Sequence, residues 1–140
     1  MDIAATPAQV WAALCDPAKV PLWLGLDAKV KPRTGGTWVA TVAPGLLREA
    51  MIDVFEPPRR LRLIYLPPPD LSPAEGAVVD DFLLDSEGES TILRMLCSGV
   101  PEASDWTQLF TKVRATSERA LSRLKLVVER EGATAGSSAP

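Results

Sequence analysis

The chain opens with apolar positions at the spacing of a helix. Thr6 can cap this helix, Pro7 suits its first turn, and Gln9 stands where a capping box needs it. Asp16–Pro17 ends the segment and repeats the start signal, so the sequence predicts a second short helix through about Trp23. The few residues before Thr6 leave room for only a short strand.

From Ala28 to Ser98 the apolar period changes to the two-residue alternation of β-strands. Glycine and proline turns recur about every ten residues, among them Pro44–Gly45, and this spacing predicts an antiparallel meander. The longest loop signal is the proline-rich run over 67–73. The predicted strands span 28–32, 37–43, 47–56, 60–66, 77–84 and 90–97. Such a sheet can leave one face in solvent, but its other face needs a cover.

The cover is the last predicted element, a helix over about 105–131 with Ser104 as its N-cap. A helix of roughly 27 residues is about 40 Å long, enough to cross a whole sheet. Its apolar positions form one stripe at helical spacing. The stripe consists of Trp106, Leu109, Phe110, Val113, Ser117, Ala120, Leu121, Leu124, Val127 and Val128. We therefore predict one domain over 1–131, followed by a disordered tail over 132–140.

Composition and charge narrow the class of protein. The 140 residues suit a single domain, and the net charge of −3 argues against a dedicated nucleic-acid binder. The sequence contains neither an apolar run of about 18 residues nor the basic and apolar segments of a signal peptide. We expect a cytoplasmic protein that binds no nucleic acid and does not insert stably into a membrane.

The inventory of chemically active side chains is small. The chain has no histidine, which excludes a Ser-His-Asp triad and most zinc sites. Cys15 and Cys97 fit neither a disulfide framework nor a metal knuckle, and neither has a histidine to activate it. Asp80 and Asp81 are adjacent in a predicted strand and must point to opposite faces. An inward Asp81 could act as an acid or base, whereas an outward one is a solvated hairpin residue. We expect no metal, no cofactor and no catalytic residue.

The order of these elements, together with four local motifs, resembles the SRPBCC (START-like) superfamily. Within it, the sequence is similar to proteins related to the activator of the heat-shock-protein ATPase (AHSA-like proteins). The resemblance covers about residues 3–128, with a short first strand and only Asp105–Trp106 where the family often carries more tryptophan and glycine. The motifs are IAATPAQVWAALCDP (3–17), GGTW (35–38), DVFEPPRRLRLIY (53–65) and EGESTILRMLCSG (87–99).

The resemblance implies an α+β fold of the helix-grip (START-like, Bet v-like) type. In this fold, a curved antiparallel sheet of about seven strands wraps around a long C-terminal helix, with two short helices after the first strand. It also implies a cavity between sheet and helix that holds apolar or amphipathic small molecules. Because the sequence has so few side chains suited to acid–base catalysis, we predict non-catalytic binding of a small hydrophobic or aromatic ligand by a carrier, sensor or sequestering protein. Two alternatives stay open: an enzyme of the polyketide cyclase or dehydratase type, and a module that regulates a chaperone or binds another protein.

The residues expected to touch such a ligand come from the second helix, the sheet and the long helix. Packing in the core is the alternative role for each of them. They are Trp23, Trp38, Met51, Tyr65, Met95, Phe110, Val113 and Ser117.

The charges along the chain are polarised. Residues 75–89 contain six acids and no base, whereas residues 112–125 contain five bases and one acid. Such a distribution could orient a protein partner, and two solvated faces are the alternative. The oligomeric state stays open.

Overall fold

The computed structural model describes residues 1–24, 27–43, 46–66 and 77–137. The Pro44–Gly45 turn, the whole predicted loop over 67–73 and the last three residues of the predicted tail lie outside the described residues. The elements are β1 (Asp2–Ile3), α1 (Pro7–Cys15), α2 (Val20–Leu24), β2 (Ala28–Val30), β3 (Thr37–Ala43), β4 (Leu46–Glu56), β5 (Arg60–Tyr65), β6 (Val78–Glu87), β7 (Ser90–Ser98) and α3 (Ser104–Ser137).

The strands form one antiparallel sheet of seven in the order β1-β7-β6-β5-β4-β3-β2. From β2 to β7 each strand pairs with its neighbours in sequence, which is the predicted meander. Only β1 pairs with a distant strand, placing Ile3 opposite Thr91 of β7. The curved sheet, the long C-terminal helix and the two short helices after β1 confirm the helix-grip fold.

The first helix begins as its sequence predicts. The Gln9 backbone N–H donates to the Thr6 hydroxyl over 3.3 Å, and the Thr6 N–H donates to the Gln9 side chain over 2.9 Å. After α1, the Asp16 carboxylate accepts the N–H of Ala18 at 2.9 Å, and a turn occupies residues 17–19. The second helix therefore begins only at Val20, later than the repeated start signal suggested.

The long helix lies against the sheet through the predicted stripe. Its most deeply buried side chains recur at intervals of seven and four residues, as expected for one face of a helix. They are Trp106, Val113, Ala120, Leu124 and Val128. The helix continues past Glu131 to Ser137, farther than the apolar stripe predicted. Within the described ranges, no helix combines the length and the apolar character needed to cross a membrane.

Hydrogen bonds connect the N-terminal segment to the long helix and to the sheet. Lys125 of α3 donates to the backbone oxygen of Asp2 at 2.5 Å, and Glu129 accepts the N–H of Ala4 at 2.7 Å. On the other side, the buried Thr91 hydroxyl donates to the Ala5 carbonyl at 2.8 Å. The short β1 is thus held by side chains of the sheet and of the helix as well as by its own strand pairing.

Candidate functional site

Two adjoining cavities lie between α3 and the sheet. The outer cavity has a volume of about 520 Å³ and the inner cavity a volume of about 30 Å³. Drug-sized ligands usually occupy cavities of about 300–1,000 Å³, so only the outer one can hold a whole small molecule. The residues that line both cavities, and therefore mark their junction, are Arg48, Asp80, Met95, Ser117 and Leu121.

The structure brings most of the predicted ligand residues to these cavities. The inner cavity is lined by Trp23, Trp38 and Tyr65, the outer one by Phe110 and Val113, and both by Met95 and Ser117. Two helices and three strands contribute to this set, which lies between the sheet and the helices that cover it. Contact with a ligand stays a prediction for all of these residues.

Met51 is the exception among the predicted residues. Its strand neighbours Ala50 and Ile52 are 3% and 0% exposed, whereas Met51 itself is 44% exposed. Successive side chains of a strand point to opposite faces, so burial of Ala50 and Ile52 turns Met51 outward. The prediction that Met51 lines the cavity is therefore wrong, because the inward face of β4 carries Ala50 and Ile52 instead.

A polar cluster of three side chains lies at the junction of the two cavities. The guanidinium carbon of Arg48 stands 3.5 Å from the centre of the Tyr65 ring, and one of its nitrogens lies 3.7 Å from Asp80 Oδ2. The Tyr65 hydroxyl donates to that same Oδ2 over 2.7 Å. Arg48 also lies over the ring of Phe110, at 5.2 Å, so the cluster connects the sheet to α3.

Strand register assembles this cluster. Tyr65 of β5 pairs with Ala50 of β4 on one side and with Val78 of β6 on the other. Arg48 and Asp80 each stand two residues from those partners on their own strands, and residues two apart share a face. The diagonal neighbours of Tyr65 are thus a cation and an anion, both within reach of its side chain.

Burial raises the pKa of two groups in the site, the Tyr65 hydroxyl and the Cys97 thiol. It raises the pKa of Tyr65 well above its ordinary value; the Arg48 cation opposes this rise and the Asp80 carboxylate adds to it. Partial burial raises the pKa of the Cys97 thiol to about 11, with a further contribution from Asp80 that Arg48 and Arg114 partly offset. At neutral pH the phenol is a hydrogen-bond donor and the thiol is not a thiolate, so neither is an activated nucleophile.

Two buried polar atoms of the inner cavity stand out. Among the described residues, neither Asp80 Oδ1 nor Trp38 Nε1 has a partner in hydrogen-bonding geometry. Trp23 lines the same cavity, yet its indole N–H donates to the Ala13 carbonyl over 2.7 Å. Two residues that line the inner cavity thus carry one unused acceptor and one unused donor.

Arg123 of α3 binds the end of α2, the helix whose residues Trp23 and Leu24 line the inner cavity. Arg123 donates from Nε to the Trp23 carbonyl over 2.7 Å and from Nη2 to the Leu24 carbonyl over 3.2 Å. These carbonyls belong to the last turn of a five-residue helix, where intrahelical partners are missing. The guanidinium thus fixes the position of two residues that line the inner cavity.

Sequence reasoning missed the polar cluster. It placed Asp80 and Asp81 on opposite faces, which is right, and it left open whether Asp81 faces inward as an acid or base or outward into solvent, but it did not consider Asp80 as the inward carboxylate. Asp81 lies outside the cavities in a bidentate pair with Arg60, at 2.9 Å for each bond, whereas Asp80 is 1% exposed. The signal was the alternation of β6, because Asp80 shares its face with the buried Phe82 and Leu84.

Known proteins share this fold along nearly the whole chain. Protein MLL2253 of Mesorhizobium loti is 22% identical and superimposes with a TM-score of 0.77, covering 93% of this chain and 95% of its own. The Aha1 dimer of Colwellia psychrerythraea is 18% identical with a TM-score of 0.75 and 92% coverage of both chains. PFC0360w of Plasmodium falciparum, described as an HSP90 activator, is 13% identical with a TM-score of 0.72 and 91% coverage of both. At these identities the likeness shows the fold alone.

The sequence itself identifies the family. No curated protein matches it. The family model described as "Activator of Hsp90 ATPase homolog 1-like protein", however, matches residues 4–129, which include every residue that lines the two cavities. This confirms the resemblance seen in the motifs: the chain belongs to the family of Activator of Hsp90 ATPase homolog 1-like proteins.

Proposed function

We propose that this protein binds a small, largely apolar molecule in the outer cavity, without catalysis, as a carrier, sensor or sequestering protein of the cytoplasm. The observation that carries the proposal is the outer cavity itself, whose volume of about 520 Å³ lies in the usual range for small-molecule sites. Its apolar wall includes Met95, Val100, Phe110, Val113 and Leu121. Charged side chains of Arg48, Asp80, Arg114 and Glu118 also line it, and a small-molecule site usually combines an apolar wall with such polar groups.

The chemistry of the site supports binding rather than turnover. The cluster pairs its one buried carboxylate with Arg48 and Tyr65, and the thiol of Cys97 keeps its proton at neutral pH. The described residues contain no group of three His, Cys, Asp or Glu side chains that could hold a metal ion. A cyclase of the polyketide type, which needs little more than a shaped cavity, is tested separately by product analysis with poly-β-ketone mimics.

The proposal is tested by titration with the fluorescent apolar probe N-phenyl-1-naphthylamine. We expect Ser117→Leu to weaken probe binding at least tenfold, about 1.4 kcal/mol, because the added carbons fill the junction of the two cavities. The matched control is Ala115→Leu, which adds the same carbons at an exposed position of α3. Equal probe affinity in the two variants would contradict the proposal.

Regulation of a chaperone is the second candidate function, favoured by the description of the family whose model matches this chain. The charges offer it only partial support, because Asp81 and Asp85 of the acidic run already pair with Arg60 and Arg94. The test is the ATPase rate of Hsp90 with and without this protein. A rise in that rate would favour the second candidate, and an unchanged rate together with probe binding would favour the first.

A further inference from the structure

We propose that the ligand carries a hydroxyl group, alcoholic or phenolic, which enters the inner cavity and bonds to both Trp38 Nε1 and Asp80 Oδ1. The inference rests on the proposed function and names the ligand class for the same site. In this arrangement the indole N–H donates to the hydroxyl oxygen, and the hydroxyl hydrogen is donated to the carboxylate. The apolar body of the ligand fills the outer cavity.

The two unpartnered atoms are the first support. Buried polar groups are nearly always hydrogen-bonded, because losing water without gaining a partner costs free energy. Trp38 is 5% exposed and Asp80 is 1% exposed, and both line the inner cavity. A single group that both accepts and donates a hydrogen bond would satisfy the two atoms.

The size of the inner cavity is the second support. On the same measure of volume, one water molecule needs about 10–15 Å³. The inner cavity, at about 30 Å³, has space for a group of one or two heavy atoms and none for a ring. The group must therefore be a substituent of a molecule whose bulk lies elsewhere.

Charge and hydrogen-bonding capacity then select among small substituents. A carboxylate would be repelled by Asp80, an ammonium cannot accept from Trp38, and a carbonyl cannot donate to Asp80. A hydroxyl does both. Asp80 is already paired with the Arg48 cation at 3.7 Å, which lowers the demand for a second positive charge.

The connection between the cavities is the third support. Met95, Ser117 and Leu121 line both of them, so a ligand whose body contacts these residues in the outer cavity has its end at the inner one. Phe110 and Val113 form the outer wall on α3 and suit an aromatic or aliphatic body. A molecule with an apolar body and one terminal hydroxyl matches both volumes.

The test compares three probes of one shape: 2-naphthol, naphthalene and 2-methoxynaphthalene. We expect 2-naphthol to bind at least tenfold more tightly than the other two, because only it can donate to Asp80 and fit the inner cavity. Trp38→Phe keeps an aromatic ring and removes the N–H. It should weaken 2-naphthol binding about fivefold more than it weakens naphthalene binding.

An NMR measurement on the unmodified protein tests whether the Trp38 indole bonds to the hydroxyl of the probe, even if Trp38→Phe folds poorly. The Trp38 indole proton should move downfield with 2-naphthol and not with naphthalene. The Trp23 indole proton is the internal control: it already bonds to Ala13, so its response to the two probes should be the same.

Three outcomes would overturn the inference. Equal affinity for 2-naphthol and naphthalene would show that the hydroxyl gains nothing, while leaving the proposed function intact. A water molecule that stays bound to the Trp38 indole in the presence of 2-naphthol would show that the inner cavity is a hydration site. If none of the three probes bound while N-phenyl-1-naphthylamine did, the inference would fail and the proposed function would stand; if that probe did not bind either, both would fail.

Discussion

Removing the Arg123 guanidinium should loosen the α2 wall of the cavity. Arg123→Met keeps most of the aliphatic stem and deletes the two hydrogen bonds to the carbonyls of Trp23 and Leu24, at 2.7 and 3.2 Å. A net contribution of about 0.5–1.5 kcal/mol for each bond gives a loss of about 2 kcal/mol in the free energy of unfolding. For a domain of this size, that corresponds to a fall of about 8 °C in Tm.

The assay is urea denaturation followed by circular dichroism, combined with hydrogen exchange of the backbone amides. We expect faster exchange in Val20–Leu24 than elsewhere, because the lost bonds hold that helix in particular. The matched control is Arg119→Met, the same change at an exposed position one turn earlier on α3. Arg123→Lys should restore less than half of the loss, because an ammonium lacks the planar fork that reaches two carbonyls.

Two results would refute this reasoning. One is an equal free energy of unfolding for Arg123→Met and Arg119→Met, which would make the guanidinium no more than a solvated charge. The other is a global loss of stability without faster exchange in α2, which would show that the two bonds do not act locally.

Three further changes have expected outcomes. Tyr65→Phe removes the 2.7 Å bond to buried Asp80 and should cost about 1.5–3 kcal/mol in urea denaturation, with little change in the far-ultraviolet spectrum. Gly99→Ala should cost at least about 2 kcal/mol more than Gly88→Ala. Both glycines have positive φ (82° and 61°), but only at Gly99 would a Cβ clash with a backbone carbonyl, and denaturation midpoints of the two variants check this. Burial raises the pKa of the Cys15 thiol from 9.0 to about 12, so the unfolded chain loses this proton first as the pH rises. Stability linked to the thiol is complete below about pH 9 and falls by about 1.4 kcal/mol per pH unit above it. Cys15→Ala should flatten the measured slope by that amount, and an unchanged slope would contradict the assignment.

The sequence predicts the elements of this fold well because its signals are local. The Thr6–Gln9 capping box lies within a single turn, and the structure shows both of its bonds. Likewise, the stripe from Trp106 to Val128 follows from helical spacing alone, whichever sheet it covers. Predictions of this kind need no knowledge of distant parts of the chain.

The site is harder to predict because it depends on register between strands. Met51 was placed on the wrong face since alternation fixes which residues share a face but not which face is buried. Arg48, Tyr65 and Asp80 lie on three different strands, and only the pairing of those strands brings them together. Arg48 and Asp80 each look like a solvated charge when read alone in the sequence. In the structure they are buried together because each is the other's ionic partner.

The pairing of β1 with β7 has a consequence for how the chain is made. The strands from β2 to β7 pair in the order of their synthesis, but Ile3 has no partner until Thr91 has left the ribosome. The helix that fastens Asp2 through Lys125 is completed later still. Until then α3 does not cover the inward face of the sheet, and exposed apolar surface of this kind is what chaperones bind and what leads to aggregation. The cavities between sheet and helix exist only after this last step, so a ligand can stabilise the finished domain but cannot assist its early folding.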